Sequence, residues 1–213
     1  MEDMLLWRSK FTSCVYSTKL LNKLEQLNKV NNTKINIDYI IKAIFYAKKY
    51  HGTQLRKSGE PYYSHPLEVA YLVADYIHDT NSLIISILHD VIEDTDLTPK
   101  MLAYIFNPTV ASGVVDLTRI KESKKISACE TVISLWNNKN YDLLTIKLCD
   151  RLHNMRTLAA KSSESIKRIS KETLVSFIPL AMTLELPDVE LELSNLCIYY
   201  SKQYADATGI SQI

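Results

Sequence analysis

Apolar residues recur at three- and four-residue intervals along almost the whole chain, and few helix-ending residues interrupt them. Ile37, Ile40, Ile41, Ile44, Phe45 and Ala47 form one such stripe, which stops at His51-Gly52. Leu83, Ile84, Ile87, Leu88 and Val91 form another. Four Gly and six Pro in 213 residues leave little material for the tight turns of a sandwich or barrel. The abundant Leu, Ile, Lys and Glu are compatible with helix. The chain therefore reads as all-α, a single domain of about ten helices with a C-terminal helical extension.

The breaks divide that reading. Leu20, Leu21, Leu24 and Leu27 keep helical spacing until Asn31-Asn32. Residues 53–64 have no period and read as a loop, and Pro66 suits the first position of a helix running to about 77. Thr80 or Asn81 is the expected cap of the next helix, which runs unbroken to about Asp94. Thr98-Pro99 and Asn107-Pro108 each open a further helix. Residues 121–125 read as a polar linker, and no strand pair carries a hairpin signal. Helices follow over 127–137, 140–158, 164–182 and 187–203. We expect an extension over 1–34, a core over 35–160 and C-terminal helices over 161–213.

A formal charge of +1 gives no strong field toward nucleic acid or an anionic membrane. Cys14, Cys129, Cys149 and Cys197 are scattered, with no C-x-x-C pair, which fits a reducing cytoplasm. The first residues carry acids where a secretory leader carries bases. No stretch approaches the ~20 apolar residues of a membrane span.

Chemistry concentrates in three places. His65 stands just before a helix, His89 and Asp90 are adjacent, and Asp150 interrupts the apolar run Leu143, Leu144, Ile146, Leu148. An Asp there is costly unless paired or bound to a metal. Mixed imidazole and carboxylate donors suit one divalent ion such as manganese, iron or zinc better than calcium. Glu93 and Asp94 lie one turn beyond His89 and Asp90, where they could orient ligands or move protons. Blander readings stand beside these. Asp150 could simply pair with Arg151, and Glu93 and Asp94 could be a solvated helix end. His51, His78 and His153 read as structural or surface residues.

The order His, His-Asp, Asp resembles the HD phosphohydrolase superfamily. Residues 47–66 (AKKYHGTQLRKSGEPYYSHP), 87–95 (ILHDVIEDT) and 147–158 (KLCDRLHNMRTL) resemble, more narrowly, the hydrolase domain of the RelA/SpoT alarmone enzymes. The resemblance covers about 36–205. It implies a manganese-dependent hydrolase that removes the 3′-pyrophosphate of ppGpp or pppGpp. Carried over position by position, His65, His89, Asp90 and Asp150 would bind the metal, and Glu93 and Asp94 would position or activate water. Arg56, Lys57 and Ser58 would contact the guanine nucleotide, with Asn154 and Thr157 on a facing helix. A planar Arg56 could stack on a base while Lys57 offers a mobile charge.

The segments 168–174 and 178–181 resemble the family's linker. The chain stops at Ile213, so a hydrolase without a synthetase is expected. Departures are Asn107 for Gly, Arg119 for Lys, Cys149 for Ala, Ser165-Ile166 for Lys-Gln, 128–135 without the family's Arg-Lys-Met run, and 180–183 for His-Arg-Leu-Gly. None removes a proposed ligand. The competing expectations are an HD hydrolase of another phosphorylated nucleotide and a non-catalytic alarmone-binding remnant. The oligomeric state stays open, a homodimer included.

Overall fold

The computed structural model describes the backbone of residues 2–118, 120–121 and 124–207 and the side chains of 6–118 and 126–203. The departure at Arg119 and residues Glu122 and Ser123 of the expected linker lie outside the described residues. The fold is all-α. Among the described residues, β structure is confined to a ladder of two-residue strands, β1 (Ile120–Lys121) and β2 (Lys124–Lys125), and one isolated bridge between Leu55 and Pro61. The ladder falls in the stretch read as a linker. Strands of two residues are too short for the alternation that announces a strand. The chain divides into two compact units, Met1–Ile146 and Lys147–Ile213.

The first unit holds α1 (Glu2–Lys10), α2 (Val15–Val30), α3 (Ile37–His51), α4 (Ser64–Val73), α5 (Thr80–Leu88), α6 (Val91–Asp94), α7 (Pro99–Ile105), α8 (Pro108–Leu117) and α9 (Ala128–Asn137). It also holds the start of α10 (Tyr141–Arg156). At its centre is α5, in which every residue from Ser82 to Leu88 is buried. A helix apolar all round must be enclosed, and α3, α4 and α8 pack against it. Gly113 of α8 permits part of that approach, because a Cβ there would collide with the Ile85 side chain. Burying side chains such as Ile84, Ile87 and Leu88 contributes roughly 1.5–3 kcal/mol each.

The caps show which polar residues shape this unit. Asp79 caps α5, its carboxylate accepting from the Ser82 N–H at 2.8 Å. The expected cap, Thr80 or Asn81, lies one or two residues too late. Asn107 caps α8 by accepting from the Val110 N–H at 2.9 Å. Asn107, one of the departures from the resembled pattern, thus has a capping role.

In the second unit, the end of α10 is followed by α11 (Ser163–Glu172), a π-helical turn (Thr173–Phe177), α12 (Ile178–Thr183) and α13 (Pro187–Ala207). One unbroken helix was expected over 164–182. Pro179 has no N–H for the Val175 carbonyl and crowds it, so the helix widens one turn upstream. Arg151 lies 4.0 Å from the Phe177 ring centre and pairs with Glu172 at 2.7 Å. Arg156 makes a forked pair with Glu192, and the Tyr200 hydroxyl donates to the Met155 carbonyl at 3.2 Å. These contacts fix the Asp150-bearing half of α10 within its unit.

Candidate active site

The helix expected to run unbroken to Asp94 stops at Leu88 and restarts at Val91. His89 and Asp90 occupy the break and do not lie on a continuous helix as the sequence suggested. The His89 Nδ1 sits 2.8 Å from the Ser86 carbonyl. That oxygen is the acceptor the Asp90 N–H would use if the helix continued. A carbonyl only accepts, so Nδ1 carries the hydrogen, which leaves Nε2 as the nitrogen that a metal could use.

That Nε2 lies 3.2 Å from Asp90 Oδ1, and His65 Nε2 lies 3.6 Å from Asp90 Oδ2. The two imidazoles meet edge to face at 5.3 Å, with a ring nitrogen of each within 4.8 Å of the other. Both histidines are 3% exposed. His65 belongs to the first turn of α4, held by its N–H to the Tyr62 carbonyl at 3.1 Å. Two ligands each about 2.1 Å from one ion stand about 3.0–3.6 Å apart when they subtend 90–120°. The Asp90 distances fall in that range, so the donors present fit a divalent metal.

Asp94 ends the four-residue α6 and is exposed, and Glu93 beside it is half-buried. The Tyr62 hydroxyl donates to Asp94 Oδ2 at 2.6 Å and approaches Asp90 Oδ2 at 3.4 Å. Tyr62 stacks on His51 with ring centres 4.6 Å apart. His51 is buried, and burial pushes its imidazole below the usual value, against opposing effects of Gln54, Asp90 and Asp94.

Residues 54–62 form a narrow loop and not an irregular one. The Tyr62 N–H donates to the Gln54 carbonyl at 2.8 Å, and the Arg56 N–H donates to the Glu60 carbonyl at 2.9 Å. The Gly59 N–H donates to the Arg56 carbonyl at 2.9 Å, with Gly59 at φ +88°, a conformation other residues rarely take. Lys57 and Ser58 are exposed at the tip, and Arg56 is half-buried beside them.

In the second unit, Asp150 is oriented from both sides along its own helix. Asn154 donates to Oδ1 at 2.6 Å, and the buried Lys147 ammonium lies 3.3 Å from Oδ2. The Thr157 hydroxyl donates to the His153 carbonyl at 3.2 Å. His153 is buried and His78 is exposed. The first unit thus brings together His65, His89, Asp90 and Asp94, with Arg56, Lys57 and Ser58 at the far end of the loop. Sequence reasoning passed over Tyr62, Gln54, Lys147 and the place of His51. All four lie inside the quoted motifs, but no residue pattern there announces their contacts.

A family model described as HD domain matches residues 43–186. The chain belongs to the HD-domain family. Among curated relatives of this HD-domain protein is the GTP pyrophosphokinase rsh of Brucella ovis, 36% identical over 85% of this chain and 25% of the relative. A GTP pyrophosphokinase of Myxococcus xanthus is 39% identical over 78% of the chain and 23% of the relative. A probable guanosine-3′,5′-bis(diphosphate) 3′-pyrophosphohydrolase of Synechocystis is 37% identical over 76% and 22%. The chain thus spans about a quarter of the length of the curated relatives it matches. A solved structure, of a metazoan ortholog of SpoT reported to hydrolyse ppGpp, superposes with a TM-score of 0.61 at 24% identity. It covers 74% of this chain and 93% of its own, and shows the shared fold. The resemblance read from the three motifs is borne out by these relatives.

Proposed function

We propose that this HD-domain protein hydrolyses the 3′-pyrophosphate of ppGpp or pppGpp, leaving GDP or GTP. The observation that carries the reading is the cluster of buried His65 and His89 with half-buried Asp90 at ligand spacing, with an acid pair one turn away. The names of the Synechocystis relative and of the metazoan SpoT ortholog support the substrate. In this proposal Asp150 completes the ligand set. Its place in the third motif supports that, as does its alignment by Asn154 and Lys147.

The metal is proposed to be Mn²⁺, for which the nitrogen and oxygen donors are suited. Bound there, it would act as a Lewis acid on a phosphoryl oxygen and lower the pKa of water. The chain's own residues supply the rest. Glu93 and Asp94 receive a proton from the water that attacks the phosphorus bonded to the ribose 3′ oxygen. That phosphorus–oxygen bond breaks, and the proton passes to the 3′ oxygen as pyrophosphate leaves. Arg56 lays its guanidinium on the guanine, Lys57 and Ser58 meet phosphate or ribose oxygens, and Asn154 and Thr157 contribute from α10. The protein would act in the cytoplasm on a soluble nucleotide.

The test incubates purified protein with ppGpp and Mn²⁺, with and without chelator. Pyrophosphate release that stops on chelation is expected. No release with metal present overturns the reading.

A further inference from the structure

We propose that Tyr62 is a positioning residue that aims the Asp94 carboxylate. The inference rests on the hydrolase reading and goes beyond its ligands and acids. Asp94 closes a helix of four residues and is exposed. So short a helix does not hold its own last side chain in place. What holds it is the Tyr62 hydroxyl at 2.6 Å, a charge-assisted bond, which also reaches within 3.4 Å of Asp90.

Tyr62 is itself fixed from two directions. Its ring stacks on His51 at an interplanar angle of 24°. His51 is 1% exposed and ends α3, which packs on α6. The His51 Nδ1 and the Gln54 Oε1 are 2.9 Å apart, which assigns the hydrogen to the ring, because an amide oxygen only accepts. The other end of the same amide, Gln54 Nε2, donates to the Asp94 carbonyl at 2.9 Å. The Tyr62 N–H closes the circuit on the Gln54 carbonyl at 2.8 Å. His51, Gln54 and Tyr62 therefore grip Asp94 by both backbone and side chain. Burial depresses the basicity of His51, so at neutral pH its ring is a neutral platform.

The test compares Tyr62→Phe, Asp94→Asn and the double variant with wild type at saturating Mn²⁺. Tyr62→Phe keeps the ring on His51, so folding is not at stake. We expect kcat to fall about 10- to 100-fold, as for a lost partner behind a reacting group, with KM changed less than about twofold. In the Asp94→Asn background the same change should cost less than about twofold more, because the group it acts through is gone. An equal fall in both backgrounds, or a rise in KM with kcat intact, overturns the proposal. Mn²⁺ affinity, measured by calorimetry without substrate, should stay within about threefold; a fall matching that of kcat would make Tyr62 a support of Asp90 and overturn the role through Asp94. A further substrate-free arm follows the Asp94 carboxylate by carbon-13 NMR. Its resonance should move in Tyr62→Phe, and an unmoved resonance overturns the proposal even if the wild type does not release pyrophosphate.

Discussion

His89 and Asp90 work as a pair because one of them stops the helix they would otherwise share. His89 spends its Nδ1 hydrogen on the Ser86 carbonyl, which turns Nε2 toward Asp90. Removing either should therefore remove the metal and not the fold. For His89→Ala or Asp90→Ala we expect hydrolysis lost and Mn²⁺ uptake lost, with helix content near normal by circular dichroism; full activity in either variant sinks the assignment. Glu93→Gln belongs to a different class. It should retain Mn²⁺ and slow turnover by about 10²–10⁴-fold, so a matched loss of metal would make Glu93 a ligand or its support. His65, His89 and Asp90 stand out in the sequence because the motifs come in order, and the structure sets the two buried histidines beside a half-buried Asp90. Tyr62 was not legible. Its contact with Asp94 depends on a loop folding back on α6, and nothing in a tyrosine among polar residues announces that.

At the level of elements, periodicity located α3 and α5 well because their apolar faces are long. It missed where α5 begins and ends, since both ends are set by single polar groups. Asp79 is the clearest case, its carboxylate also 3.1 Å from the Ser82 hydroxyl. Asp79→Ala should cost about 1 kcal/mol, read as a lower denaturant midpoint at unchanged slope. An unchanged midpoint would mean that tertiary packing alone holds α5. The π-helical turn at Thr173–Phe177 was hidden for another reason. Pro179 lies downstream of the distortion it causes, and hydrophobic spacing hardly changes when one residue is accommodated.

For the molecule as a whole, two linked equilibria can be read in melting curves. Mn²⁺ at about 100 times its dissociation constant should stabilise the wild type by about 2.7 kcal/mol and leave Asp90→Ala unmoved. The second concerns acid. His51 is held below its ordinary value by burial, so between that value, near 6.5, and its lower folded value the unfolded chain binds more protons. Its contribution to stability is thus intact at neutral pH, falls as pH drops through that window, and levels off below it. His51→Gln should flatten that part of the profile in thermal melts from pH 7.5 to 5, and an identical slope would place the effect elsewhere. No helix among the described residues is long and apolar enough to cross a membrane. The loop of residues 54–62 has a wider consequence. Its root is tied to the acid through Gln54 and Tyr62, while its tip is closed by its own backbone at Arg56 and Gly59. In the proposed hydrolase, recognition and chemistry could then diverge separately: new residues at 56–58 would alter the tip while the Asp94 carboxylate keeps its place, so the tip would serve as a cassette for exchanging specificity.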